Sequence, residues 1–334
     1  MTIKDLSAQT GYSVGTVSRV LNNQPNVSEK ARKTIMEAAD ACGFQLNTNA
    51  QQLKQQRSNN ILVLVKGSSN QLFGSLVESI QSKVAGGPFH LVVDYLDEDH
   101  NEVLRAVQLC REKKPLGLLF LGGNRKNFLA DFARIDVPCV LVTSDATDLP
   151  FRNLSSVCCD EDLAVKQTIE RLIEMGHRNF AIIGGYRERS DTTRRRFEGC
   201  LAAFQENDIA FDPEQDYVSS RFSYDGGYRA AKTLVSTGKK YTAIFCMADV
   251  MAMGAIRALT DSGQQVPNDV SVVGFDGLPI GDFTVPRLST VSQSVEILAQ
   301  RSVELLHGNI EGKNICVHEI IPAQIQWKES VRSI

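Results

Sequence analysis

The sequence predicts an all-α helix-turn-helix head over residues 1–45, joined by a polar segment to a much larger α/β body over residues 60–334. Three observations predict it. Short helical patterns separated by turn residues fill the N-terminus, and Ser13-Val-Gly-Thr-Val-Ser-Arg-Val-Leu-Asn22 takes the place of the second, groove-entering helix. Beyond residue 60, short apolar runs alternate with helical ones, the pattern of parallel sheets covered on both faces. Charge divides at the same place. Residues 1–60 hold seven Lys/Arg against four Asp/Glu and the remainder holds 29 against 35, so a mildly basic head precedes an acidic body.

The first helix runs from Ile3 to about Thr10, with Thr2 as its N-cap and Asp5 facing the positive helix end. Gly11 makes the turn. Ser13 caps the second helix, whose Val17, Val20 and Leu21 form an inward stripe. Ser28 caps a third helix with Ala31, Ile35, Ala38, Ala39 and Cys42 at helical spacing, ended by Gly43. Outward on the second helix lie Val14, Gly15, Thr16, Ser18, Arg19 and Asn22. Arg19 suits bidentate donation to guanine O6 and N7. Ser13, Thr16, Ser18 and Asn22 suit phosphate oxygens, which set register. Gly15 costs a helix about 1 kcal/mol against Ala and would let the backbone approach a base closely. An ordinary three-helix packing unit with a solvated Arg is the competing reading.

Residues 46–59 are polar apart from Leu46, Ala50 and Leu53. A helix here would place Ala50 and Leu53 on one face, but alone it is too short to be stable. The competing reading is a polar linker with one stray Leu. In the body, strands are expected at Ile61–Val65, His90–Tyr95, Leu116–Leu121, Val137–Val142, Phe180–Ile183, Ala243–Met247 and Val270–Phe275. Helices are expected at Leu72–Val84, Asn101–Arg111 and Asp249–Ser262. Ligands of such sheets sit at the carboxyl ends of the strands.

At 334 residues, with 43% hydrophobic and 22% charged residues, the chain can bury sizeable cores of an ordinary globular kind. Polar residues from Lys4 onward argue against a signal peptide, and no apolar run reaches membrane-spanning length. A cytoplasmic protein is therefore expected. The eight cysteines are scattered without a C-x-x-C pair, which suits free buried thiols; adjacent Cys158 and Cys159 leave a redox or soft-metal site as the alternative. P-loop, zinc and G-x-S-x-G motifs are absent. No catalytic residue, metal or cofactor is expected.

Thr2-Ile-Lys-Asp-Leu6, Gly11-Tyr-Ser-Val-Gly-Thr-Val-Ser-Arg-Val-Leu-Asn-Asn23 and Val27-Ser28 closely resemble the head of the lactose-repressor (LacI/GalR) family. Further markers run through the body: Leu172-Ile-x-x-Gly-His-Arg178, Ile183-Gly-Gly185, Arg196-Phe-x-Gly199, Phe245-Cys-x-x-Asp249-x-Met-Ala-x-Gly-Ala255 and Val273-Gly-Phe-Asp276. Ser7 and Thr10 stand where the family usually has Ala, and Leu46 where it often has Pro. The resemblance implies a periplasmic-binding-protein-like body of two doubly wound subdomains, about 60–157 with 290–316 and about 158–289 with 317–334. It implies that residues 46–59 hold a hinge helix, in which Leu53 wedges into a minor-groove step and Lys54 follows it. Val14 and Gly15 match the pair that governs operator choice.

For the cleft between the subdomains, the resemblance implies Arg196 and Asp276 as a pair suited to a polyhydroxylated effector, one donating and one accepting. Phe222 matches a stacking aromatic, though a lone Phe is more often core. Leu72 and Phe73 match an apolar pair on the first subdomain's wall. Asp160 lies at a crossover, Asp249 starts a helix near the cleft, and Thr143 stands where many members carry an Asp after the fourth strand, with Ser144 and Asp145 as its substitutes. Asp160-Glu-Asp162 also reads as a metal site or as acids at a helix N-terminus. Arg194-Arg-Arg196 reads as a solvated face, and Arg187 with Arg189 raises a phosphorylated effector. The expected protein is a homodimeric, effector-controlled DNA-binding transcriptional regulator, a repressor. It would bind a pseudo-palindromic double-stranded operator and a sugar or sugar-phosphate effector, with no membrane partner. The alternative is a catabolite-control-like regulator answering to a protein corepressor, for which Arg301 and Glu304 are the residues to inspect.

Overall fold

A computed structural model describes residues 3–21, 27–42, 58–67 and 69–334. They divide into two compact units, residues 1–58 and 59–334. Thr2, Asn22, Gly43, Leu53 and Lys54 lie outside the described residues, as does the expected hinge except Ser58 and Asn59.

The first unit holds α1 (Ile3–Thr10), α2 (Val14–Leu21) and α3 (Glu29–Ala41). Leu6, Val17, Val20, Ala31, Ile35 and Ala39 are all buried and form its core. The turn between α1 and α2 needs Gly11, whose φ is +72°. The hydroxyls of Ser7 and Thr10 donate to the carbonyls of Tyr12 (2.6 Å) and Leu6 (2.7 Å), tying that turn. Ser13 Oγ accepts from the Thr16 amide at 3.2 Å and Ser28 Oγ from the Ala31 amide at 3.3 Å, so both caps satisfy first-turn donors.

The second unit is built on two six-stranded sheets. Its elements are β1 (Asn60–Lys66), α4 (Gln71–Val84), β2 (His90–Leu96), α5 (Glu102–Lys113), β3 (Gly117–Leu121), α6 (Arg125–Asp131), β4 (Cys139–Val142), β5 (Leu154–Cys159), α7 (Glu161–Glu174), β6 (Phe180–Gly184), α8 (Asp191–Glu206), β7 (Tyr217–Ser219), α9 (Tyr224–Ser236), β8 (Ala243–Cys246), α10 (Asp249–Asp261), β9 (Ser271–Asp276), β10 (Ser289–Ser292), α11 (Val295–Ile310), β11 (His318–Ile321) and β12 (Gln324–Gln326). The first lobe's sheet has the order β11-β5-β4-β3-β1-β2 and the second's β12-β10-β9-β8-β6-β7. All pairings are parallel except β10 with β12. Strands β1, β3, β4, β6 and β8 are buried almost throughout, as their apolar runs require, and β5 and β9 are buried too although they carry Ser155, Ser156, Ser271 and Asp276.

Three crossings join the lobes, and two differ from the expected boundaries. Ser289–Ser292 pair with β9 in the second sheet, so the chain crosses back only after Ser292. His318–Ile321 pair in parallel with Ser156–Cys159 and extend the first sheet, so the last crossing falls at Pro322–Ala323, beyond the expected boundary between 316 and 317. These short strands carry polar residues (Ser289, Thr290, His318, Glu319) and no apolar run. Backbone pairing to a neighbouring strand places them, and that depends on tertiary context.

Candidate effector cleft and DNA-reading face

Most of the strands that lead into the cavity point their carboxyl ends at it. The cavity measures about 830 Å³ including its open mouth. Lys66, Glu98, Gly122 and Thr143, following β1 to β4, line one side; Gly185, Ser220 and Asp276, around β6, β7 and β9, line the other. Thr143 (φ +71°) and Asp276 (φ +127°) hold left-handed backbone conformations that side-chain-bearing residues rarely adopt, both facing the cavity.

Arg196 on α8 is 3% exposed. Its Nε and Nη2 donate to Glu161 Oε1 at 3.0 and 2.6 Å, its Nη1 donates to the Met247 carbonyl, and its guanidinium lies over the Phe275 ring. Asp276 Oδ1 is 3.8 Å from Nη2. Asp276 also accepts from Gln293 Nε2 (3.0 Å) and from Asn70 Nδ2 (3.2 Å), so Asn70, the N-cap of α4, bridges the lobes. Burial pushes the Asp276 carboxyl up to about 7 against the pull of Arg196. Phe73 and Phe222 stand on the two walls. Gly185 makes room for Phe222, since a Cβ there would lie 2.6 Å from its ring.

Five of the eight expected effector residues therefore meet at one cavity: Leu72, Phe73, Arg196, Phe222 and Asp276. Three do not. Ser144 lines a separate polar hollow with Arg125, Asp145 and Arg195, while its neighbour Thr143 faces the main cavity, because the left-handed turn at Thr143 redirects the chain. Asp160 caps α7, accepting from the Leu163 amide at 3.1 Å. Asp249 is buried, accepting from the Leu278 amide and Thr290 Oγ1, both at 2.6 Å, and so pins the loop after β9. Burial raises Asp249 to about 6.

Sequence reasoning missed Asn70, Glu98, Asp99, Tyr186 and Ser220, and chose Ser144 over its neighbour Thr143. Their signal was position: most follow within three residues of a parallel strand's end or of the loop it feeds. Glu161, read among helix-terminal acids, is instead the buried counter-ion of Arg196. Arg187 stacks on Phe197 and Tyr217, and Arg189 pairs with Asp99. Among the described residues no cluster of three metal-ligating side chains occurs, and no helix is long and apolar enough to cross a membrane.

On the head, Ser13, Val14, Gly15 and Arg19 are exposed, with Thr16 and Ser18 partly so, and Val17 and Val20 face the core. A Cβ on Gly15 would meet only Ser13 Oγ, at 3.8 Å. Nothing within the described head requires glycine there.

Comparison with known proteins agrees with this division. Residues 2–47 match the model for bacterial regulatory proteins of the lacI family, and residues 169–331 match a periplasmic binding protein-like domain. The chain is 31% identical over 337 residues to the HTH-type transcriptional regulator MalR of Clostridium butyricum, covering all of both chains. It is similar to the Lac repressor dimer bound to operator and the anti-inducer ONPF (25% identity, 99% of each chain, TM-score 0.81). It is also similar to the transcriptional regulator CelR in complex with cellobiose (25% identity, 99% of each chain, TM-score 0.73). The chain belongs to the LacI family of bacterial regulatory proteins: it is a DNA-binding transcriptional regulator, not an enzyme.

Proposed function

We propose that the chain is a cytoplasmic, homodimeric repressor whose operator affinity is set by a neutral sugar bound between the two lobes. The observation that carries the effector class is the pairing of every described cation lining the cavity. Lys66 pairs with Glu102, Arg189 with Asp99 and Arg196 with Glu161. A phosphate would find no uncommitted positive charge among them. A neutral polyol finds the Asp276 carboxylate as acceptor, the remaining Arg196 N–H groups as donors, and aromatic walls at Phe73 and Phe222. The cellobiose complex of CelR supports the same class.

On DNA, Ser13, Thr16, Ser18 and Asn22 contact phosphates while Val14, Gly15 and Arg19 read base edges; Leu53 and Lys54 act in the minor groove. The operator-bound Lac repressor dimer supports operator binding by a dimer. A second copy has an apolar surface to cover in the loop after β9, where Phe283 is 84% and Val285 94% exposed. Effector binding biases lobe closure, and closure alters the spacing of the paired hinges. Only a ligand with different affinities for the two closure states can do this. A protein corepressor is less favoured: Arg301 on α11 is engaged by Glu304 and Glu319.

The test is a thermal-shift panel of neutral sugars, sugar phosphates and nucleosides, followed by operator gel shifts with each hit. Neutral sugars alone should raise the melting temperature and change operator affinity, and Asp276→Ala should lose both effects while remaining dimeric. Binding confined to phosphorylated ligands, or a normal response in Asp276→Ala, overturns the reading.

A further inference from the structure

Five charged residues meet across the mouth of the cleft. The loop after β2, in the first lobe, presents Asp97, Glu98 and Asp99 in succession. From the second lobe, Arg221 Nη2 donates to Asp97 Oδ1 at 2.5 Å and Arg221 Nε to Glu98 Oε1 at 2.8 Å, with Asp99 3.6 Å away. Arg189 Nη1 donates to Asp99 Oδ1 at 3.1 Å. Three adjacent carboxylates repel one another, and these two cations reach them from the opposite lobe. The loop that carries Arg189 is tied across the cleft a second time. Asn124 Nδ2 donates to the Arg189 carbonyl at 2.8 Å, and the Arg125 amide donates to Asp191 Oδ2 at 2.5 Å.

We infer that Asp97, Glu98, Asp99, Arg189 and Arg221 form an ionic clasp that sets how firmly the lobes stay shut over the cavity, and so how long an effector is held. The effector half of this rests on the proposed use of the cavity, but the clasp acts on the lobes whether or not the cavity is filled. The five side chains are 23 to 65% exposed, so salt reaches them. An exposed ion pair shifts an equilibrium by roughly 1.4- to 5-fold. Losing the two hydrogen-bonded pairs of Arg221 should therefore weaken closure about two- to twenty-fivefold. The Debye length falls from about 10 Å at 0.1 M salt to about 3 Å at 1 M, so high salt should mimic that loss.

The Arg125 amide offers a readout of closure, because its acceptor lies across the cleft and it exchanges with solvent when the lobes part. Exchange is followed in the full-length protein without added ligand, by mass spectrometry of the 123–128 segment. At low salt, Arg221→Gln should speed exchange about two- to twenty-fivefold, with β3 and β8 unaffected. Arg221→Lys, which keeps the charge, should recover part of the protection. Wild type in 1 M NaCl should approach the Arg221→Gln rate, and the variant should respond to salt less than wild type, through the remaining Arg189–Asp99 pair alone. Equal exchange in wild type and Arg221→Gln, or equal salt responses, overturns the clasp. The sugar panel then tests occupancy separately: a clasp without any sugar binding leaves the clasp standing and removes the effector reading.

Discussion

Arg196 and Glu161 should behave as one unit in a double-mutant cycle. Both side chains are 3% exposed and joined by two donated hydrogen bonds to one carboxylate oxygen, so neither charge has water to fall back on. Removing one member of such a buried pair costs roughly 3–5 kcal/mol, chiefly because the other is left uncompensated. Arg196→Met should sit at the upper end, since it strips the cation from both Glu161 and Asp276. Glu161→Leu should sit lower, because Arg196 keeps Asp276 and the Met247 carbonyl. At about 2–4 °C per kcal/mol for a body of this size, the single variants should melt roughly 6–20 °C lower. The double variant Arg196→Met/Glu161→Leu removes both charges and should lose under about 2 kcal/mol, a coupling of about 4 kcal/mol or more. Thermal and urea melts of the four proteins measure this, and sugar titration adds the functional arm: both variants lacking Arg196 should fail to bind. Single-variant losses below about 1 kcal/mol that simply add would refute the reasoning, since they would mean that the pair is solvated.

Asp276 should make stability fall as pH rises. Its folded value of about 7 lies above the ordinary 3.8, so between pH 4 and 7 the folded state keeps a proton that the unfolded state has released. Stability is fully present at the acid side of that window and lost toward pH 7, with Asp249, raised to about 6, acting in the same direction. Melting temperatures of Asp276→Asn across pH 4–7 should show a flatter slope than wild type; parallel slopes would exclude this origin. Gly15→Ala should stabilise the head by up to about 1 kcal/mol, because the added Cβ meets only Ser13 Oγ, yet change operator preference in a binding-site selection. An unchanged preference would remove Gly15 from base reading. Leu53→Ala should weaken specific operator binding in gel shifts while sugar affinity stays constant; unaltered operator affinity would contradict a minor-groove wedge.

The head was legible because its signals are local. Gly11 permits one turn, Ser13 and Ser28 cap the helices they precede, and the stripe at Val17 and Val20 meets Leu6 and Ile35 whatever follows. Long buried strands such as Ile61–Val65 were legible from unbroken apolar runs. The strands Ser289–Ser292 and His318–Ile321 were not, since they have no such run and pair only because a neighbouring edge awaits them. The cleft divided in the same way. Arg196 and Asp276 carry family motifs, whereas Asn70 and Thr143 enter through a helix cap and a left-handed turn that no spacing announces.

By itself, the sequence determined the three helices of the head and their caps, the long buried strands, the apolar faces and the split between a basic reader and an acidic α/β body. Those depend on residues a few positions apart, where sterics and periodicity act directly. Only the tertiary structure decided which side chains share a cavity. Glu161 and Arg196 stand 35 residues apart and Asn70 and Asp276 206 apart, and burial alone turned an apparent helix-end acid into the counter-ion of the cleft. The same packing committed each described lining cation to a carboxylate. Composition cannot express that pairing, and it narrows the proposed ligand from any sugar derivative to a neutral one.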